Sequence, residues 1–371
     1  MRIAQIAPLY ESVPPQLYGG TERVVHALVE ELVRRGHAVT LFASADSVTS
    51  ARLVPIVDRS LRLHPEYIDP YPFQMMELGT VFERAGEFEI IHSHVDYYTF
   101  PFTRFVTTPV VTTLHGRLDL LELQPIYDQY REVRLISISN NQRRPLPKAN
   151  WVATVYNGIR VEDFTLERRR GSYLAFLGRI SPEKGIESAI EVARRAGIPL
   201  RVAAKIDRVD REYFESIRHL FDQPFVTYVG EVDRVGKDRF LGGACALIFP
   251  VAWPEPFGLA MTEAMACGVP VIARRSGSVP EIIADGQTGF VCDSVQEMML
   301  ACRRIEEIDR AFCRQYVEQH FSAPVMTDRY LAAYRQVLGT VEGRPTDPPG
   351  AVRGRANGAT HDGHTAEVAA T

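Results

Sequence analysis

The sequence predicts an α/β protein of two doubly wound domains, each a parallel sheet flanked by helices, facing each other across a cleft. Three observations lead there. Short apolar runs alternate with stretches of helical period along nearly the whole chain, the pattern of parallel strands joined by crossover helices. The alternation pauses once, in the charged segment Ile159–Gly171 that closes on Arg168-Arg169-Arg170, and then restarts. A length of 371 residues exceeds what one core ordinarily organises, so two domains are expected.

In the first half, Ile3–Pro8 reads as a strand, and Thr21 is expected to cap a helix running to about Arg35. Val24, Val25, Leu28 and Leu32 recur there at helical spacing, and Gly36 is placed to end the helix. Further strands are predicted over Ala38–Ala43, Phe88–His92, Pro109–Leu114, Arg134–Ile138 and Trp151–Tyr156.

After the pause the expected order is strand Ser172–Leu177, helix Gly185–Ala196, strand Leu200–Ala204 and helix Arg211–Leu220. Strands Phe225–Val229, Ala246–Phe249, Val269–Ala273 and Gly289–Cys292 follow, with helices between them. The expected division is 1–165, 166–320, a last helix in 321–338, and a tail over 339–371. That tail is rich in Gly, Pro and Ala, has no large apolar residue beyond Val, and is expected to be disordered. No repeat of solenoid length is visible.

Composition narrows the function. The chain is 46% hydrophobic and 24% charged, with a net charge of -4. This balance offers no field for nucleic acid, so an anionic ligand needs a local site. Cys245, Cys267, Cys292, Cys302 and Cys313 are odd in number and lack C-x-x-C spacing, which suits buried reduced thiols better than a metal site. Met1–Pro8 alternates rather than forming an export segment, and no window approaches 18 apolar residues. A cytoplasmic protein is expected, with a peripheral membrane contact left open.

The chemistry clusters in loops that follow strands, where ligands of doubly wound sheets sit. The strongest segment is WPEPFGLAMTEAMACG, Trp253–Gly268. Glu255 lies in its loop. Phe257, Gly258 and Leu259 stand where a helix begins, and Glu263 falls in that helix's first turns. The first amides of a helix lack intrahelical partners and carry about half a positive charge, a ready anion site. Acids on either side of bound phosphate can accept hydrogen bonds from sugar hydroxyls. A single such acid is as often a solvated or dipole-complementing residue; the whole constellation is not.

Next comes GRISPEKG, Gly178–Gly185, whose Arg179 and Lys184 could neutralise a diphosphate leaving group. One such fixed donor in an enzyme is worth about 3 kcal/mol of barrier, although most Arg/Lys pairs are only surface cations. Gly19 and Gly20 precede a helix and can form a backbone wall for phosphate or sugar, but they are not the G-x-G-x-x-G dinucleotide fingerprint. His115 ends the run VVTTLHG on the side of the expected cleft, with His94 and Asp96 as weaker candidates. A lone strand-end histidine is more often structural.

Taken together, EPFGLAMTE, AMACGVPVIA, VPEII-DG-TGF, G-R-x-x-x-x-K-G, the early Gly-Gly and the V-x-N-G-I of Val155–Ile159 resemble glycosyltransferase family 4 over Met1–Leu338. The opening IAPLYESVPPQLYGGTERVV is similar to the branch that includes the avilamycin-pathway glycosyltransferase. The resemblance implies the GT-B fold of two Rossmann-like domains, with an acceptor-side N-terminal domain and a nucleotide-sugar-binding C-terminal one. It implies a retaining transfer with no cofactor and no metal, a UDP- or GDP-sugar as co-substrate, and a last helix crossing back to the first domain.

Carried over residue by residue, the resemblance has Glu263 hold the ribose and Glu255 the donor hexose. Arg179 and Lys184 neutralise the diphosphate with amides of Phe257–Leu259, Gly20 lies near the phosphate, and His115 lies near the hexose. No enzymic nucleophile is evident, in keeping with a front-face mechanism.

A glycoside hydrolase also uses two carboxylates, one of raised pKa, but cations and a helix start beside these acids favour their charged form. A sugar-nucleotide epimerase of the same fold and a non-catalytic nucleotide-sugar sensor are the remaining alternatives. The acceptor, whether saccharide, lipid-linked or small molecule, the donor's nucleotide base and hexose, and the oligomeric state are not legible. The acceptor-side loops Arg59–Phe73 and Arg117–Tyr130 carry no readable signature, and the basic residues Arg131, Arg134, Arg143, Arg144 and Lys148 read first as a solvated face and second as a contact for an anionic acceptor or lipid.

Overall fold

The structure is a computed structural model that describes residues 1–62, 64 and 69–342. Its first sheet comprises β1 (Arg2–Ile6), β2 (Ala38–Ala43), β3 (Arg52–Pro55), β4 (Ile90–Ser93), β5 (Val110–Thr113), β6 (Arg134–Ser137) and β7 (Trp151–Thr154). Their order is β3-β2-β1-β4-β5-β6-β7, every neighbour parallel. The second comprises β8 (Tyr173–Arg179), β9 (Leu200–Lys205), β10 (Val226–Gly230), β11 (Ala244–Phe249), β12 (Val271–Arg274) and β13 (Gly289–Cys292). It is also all parallel, in the order β10-β9-β8-β11-β12-β13.

Both sheets are doubly wound. Strand order reverses between β1 and β4 in one and between β8 and β11 in the other, so ligand crevices are expected beyond the carboxyl ends of those four strands. The edge strand β3 escapes sequence reading because Arg52–Pro55 is barely buried, lacks alternation and ends on a proline.

In the first half the helices are α1 (Gly20–Arg34), α2 (Tyr71–Glu83) and α3 (Gln124–Gln129). Then come α4 (Ile186–Ala196), α5 (Arg211–Ile217), α6 (Arg234–Gly242), α7 (Leu259–Ala266), α8 (Val279–Ile282), α9 (Val295–Cys302), α10 (Arg310–His320) and α11 (Ala323–Glu342). Val24, Val25, Leu28 and Leu32 are buried against the first sheet as their spacing predicts. Gly36 closes α1 with its N–H on Val33 and that of His37 on Leu32.

The expected Thr21 cap is corrected: α1 already begins at Gly20, its N-cap is Gly19, and no side chain caps it. The turn needs a residue without a Cβ at Gly19, where one would lie 2.6 Å from Pro15 Cβ, and this moves the helix start back past Thr21.

The last helix packs on the first half. Met326, Tyr330, Tyr334 and Val337 of α11 share one core with Val25 and Leu28 of α1. The anchored Val337 carries the helix through Gly339 to Glu342, so residues 339–342, expected in the tail, are helical instead; the rest of the expected tail, 343–371, lies outside the described residues. A second tie between the halves is Glu281 of α8. Its carboxylate accepts from the N–H groups of Asn140 and Asn141, each at 2.8 Å, and from the Tyr156 hydroxyl at 2.9 Å. All five cysteines are buried and unbridged. Among the described residues no helix is long and apolar enough to cross a membrane.

Candidate active site

The carboxyl ends of β1, β8 and β11 open onto one cleft of ≈ 380 Å³ between the two sheets. From the first half it is walled by the loop after β1, the start of α1, and His115. From the second half come Lys184, the segment Glu255–Leu259 and Glu263. Gly19 and Gly20 stand opposite Leu259, close enough that a Cβ on Gly20 would meet Leu259 Cδ1 at 3.5 Å. Two helix N-termini, of α1 and α7, therefore meet across the cleft.

Lys184 and Glu255, 71 residues apart in sequence, form an ion pair in which Nζ donates to Oε2 at 2.5 Å. Trp253 Nε1 donates to the same oxygen at 3.0 Å, and the Lys184 ammonium lies 5.3 Å from the Trp253 ring centre. Two glycines fix this geometry. Gly185 has φ +71°, and a Cβ there would lie 2.4 Å from the Pro250 carbonyl oxygen; Gly277 has φ +56°, and a Cβ there would lie 2.3 Å from the backbone of Glu255. A side chain at either would strain the turn and push the Glu255 loop out of register.

Glu263 is almost fully buried in α7. Its Oε1 accepts from Lys237 Nζ at 2.6 Å, and Arg23 Nε of α1 lies 3.7 Å away. Burial depresses the Lys237 pKa, and the Glu263 charge opposes that. The Phe257 ring packs with Tyr156 and Phe321, so only its backbone is free to face a ligand. Gly258 turns the chain into α7 with φ 83°.

Of the main sequence candidates, Arg179 does not reach the cleft wall, and neither do the weaker candidates His94 and Asp96. Arg179 still belongs to β8, one step earlier than a loop residue. Its guanidinium is claimed by Glu183 at 2.5 Å, Asp210 at 3.2 Å and Asp207 at 3.7 Å. Local spacing revealed the cation but not these acids, two of which arrive from the turn after β9.

Other cleft residues were assigned no role from sequence. Arg23 lies in the quoted opening segment without a role there, Lys205 and Lys237 belong to no local motif, and the three converge only through the fold. Lys205, at the end of β9, pairs with Asp207 at 3.0 Å and places its ammonium 4.0 Å from the Tyr18 ring centre. Arg62 joins Glu11 and, at 3.4 Å, Glu231 of the second half. Glu22, in the first turn of α1, is buried, and this burial raises its pKa to about 7.

His115 is half-buried on the wall, and burial lowers its pKa to about 4, leaving a neutral ring. Its Nε2 is 2.9 Å from Nδ1 of the buried His94. Asp96 has φ 46°; burial raises its pKa to about 6, opposed by a hydrogen bond from the His115 backbone N–H. His94 and Asp96 thus support His115 from behind. Among the described residues no cluster of three His, Cys, Asp or Glu side chains could hold a metal.

Comparison with known proteins bears on the family and the fold. Residues 18–163 match Glycosyltransferase Family 4, and residues 162–312 match Glycosyl transferases group 1. The glycogen synthase of Mycobacterium tuberculosis is 24% identical over 347 residues, covering 79% of this chain and 82% of the relative. AviGT4, a glycosyltransferase involved in avilamycin A biosynthesis, superposes with a TM-score of 0.69 at 22% identity, covering 91% of this chain and 98% of its own. Anabaena Alr3699/HepE in complex with UDP superposes with a TM-score of 0.71 at 16% identity, covering 91% and 100%. The architecture is GT-B, as the sequence led us to expect. The two family matches join end to end across both sheets, and the chain belongs to the family 4, group 1 glycosyltransferases.

Proposed function

We propose that the protein transfers a hexose from a nucleotide-diphosphate sugar to an acceptor hydroxyl, with retention of configuration and without a metal. One observation carries this reading: two carboxylate–ammonium pairs, Lys184–Glu255 and Lys237–Glu263, flank the N-terminus of α7 inside a single cleft. The diphosphate lies against the first amides of α7 and Lys184. The ribose hydroxyls reach Glu263 at one end, and the hexose reaches Glu255 and His115 at the other. UDP in the complex of Alr3699/HepE supports a nucleotide in a cleft of this fold, and UDP- or GDP-sugars are the proposed donors.

Lys184 and the α7 dipole stabilise the negative charge that grows on the departing phosphate. As the anomeric carbon–oxygen bond breaks, the leaving phosphate oxygen takes the proton of the acceptor hydroxyl. The new bond forms on the same face, so configuration is kept. Arg179 adds a second cation once the diphosphate draws it from Glu183, Asp207 and Asp210.

Calorimetric titration with UDP, GDP, ADP and dTDP tests the donor site, and one of them should bind. The matching sugar nucleotide should then be consumed in the presence of a chelator, giving a product with the donor's anomeric configuration by NMR. An inverted product, or transfer abolished by the chelator, overturns the reading.

A further inference from the structure

Behind His115 runs an unbroken line of buried hydrogen bonds that ends on the far helix α11. His115 Nε2 and His94 Nδ1 are 2.9 Å apart, and His94 Nε2 is 2.9 Å from Gln5 Oε1. Gln5 Nε2 then donates to the Tyr334 hydroxyl at 3.2 Å. Tyr334 contacts His92 Nδ1 at 2.7 Å, His92 Nε2 contacts Thr113 Oγ1 at 2.7 Å, and Thr113 contacts the Tyr330 hydroxyl at 3.1 Å. Every member behind His115 is at most 2% exposed.

The Gln5 carboxamide sets the direction of this line. Its oxygen can only accept, so His94 Nε2 carries the hydrogen. A neutral imidazole carries one such hydrogen, which leaves His94 Nδ1 bare and obliges His115 Nε2 to donate to it. The other branch is consistent: Gln5 gives to Tyr334, Tyr334 to His92 Nδ1, His92 Nε2 to Thr113, and Thr113 to Tyr330. Each donor is used once, and such a chain of aligned bonds is mutually reinforcing. Burial lowers the pKa of all three rings, in accord with their neutrality.

We propose that Gln5 and Tyr334 are positioning residues that lock His115 as its Nε2–H tautomer, leaving Nδ1 as a hydrogen-bond acceptor for a hydroxyl bound in the cleft. Docking of α11 thereby decides what a residue on the cleft wall can recognise. The bound hydroxyl is assigned to the donor hexose on the reading given under Proposed function; the tautomer rests on the hydrogen bonds alone. A site built to accept from a hydroxyl discriminates strongly against an analogue lacking it.

Nitrogen-15 NMR of the labelled full-length protein at neutral pH, with His115→Gln to assign the signal, reads the tautomer without substrate. The expected result is hydrogen on Nε2 of His115 and a bare Nδ1. Tyr334→Phe and Gln5→Met should each give a mixture of His115 tautomers. They should also reduce, about tenfold, the preference for the hexose donor over the corresponding deoxy donors. A wild-type ring protonated on Nδ1 or on both nitrogens overturns the proposal, as does retention of the Nε2–H form and full hydroxyl preference in both variants. If no sugar nucleotide is turned over while the tautomer is as expected, the donor assignment fails and the lock stands.

Discussion

Arg23 Nε lies 3.7 Å from Glu263 Oε1, a contact between the first helix of one sheet and the cleft helix of the other. With Lys237 on the same oxygen, a single buried carboxylate is shared by cations from both halves. A ribose placed there must therefore displace or share these donors.

Glu263→Ala should weaken binding of the free nucleotide at least about tenfold, or ~1.4 kcal/mol, in a calorimetric titration. It also strands Lys237 without its buried partner, and breaking such a pair costs about 3 kcal/mol or more. Urea denaturation should show that loss. Unchanged affinity in a folded variant would detach Glu263 from the ribose.

Lys184→Ala removes the cation facing the leaving group but leaves Glu255 its bond from Trp253. Turnover with a confirmed donor should fall a few hundredfold, about 3 kcal/mol of barrier, while circular dichroism stays that of the native protein. Wild-type turnover would rule out the role.

Glu22 gives a pH dependence of definite sign. Its pKa is raised from 4.5 to about 7 in the folded state, so the native protein keeps a proton that the unfolded chain releases. The contribution is complete below pH 4.5 and is lost as the pH rises to about 7, some ~3 kcal/mol in all. Glu22→Gln should flatten that part of the stability profile and stabilise the protein at pH 8. Identical profiles for variant and wild type, from denaturant titrations between pH 5 and 8, would refute the assignment.

Glu77 of α2 is fully buried beside Leu78 and Val81, with one oxygen bonded to Gln74 and the other unpartnered among the described residues. Burial raises its pKa well above the usual range. Glu77→Met should stabilise the fold by about 1–2 kcal/mol at neutral pH by removing an unsatisfied group. A lower thermal midpoint for the variant would contradict this.

The parallel strands were legible because buried strands are runs of Val, Ile, Leu and Ala bounded by turns, and that signal survives without tertiary information. Only β3 was lost, an edge strand with little to bury. The Glu255–Glu263 segment was legible because a loop, a glycine and a helix start sit together in sequence. Arg23, Lys205 and Lys237 were not, since a cation's meaning depends on which acid the fold brings beside it.

Local order along the chain was enough to determine two doubly wound sheets, their switch-point loops and the acids, glycines and Lys184 that line them. Which charges neutralise one another was decided only by the folded chain. Arg179 is taken up by Asp207 and Asp210 from the next strand's turn, Glu263 meets Arg23 from the other half, and His115 is backed by Gln5 and Tyr334. Periodicity is a property of neighbours in sequence, whereas Coulomb and hydrogen-bond energies depend on distances of a few ångströms that only chain crossing sets.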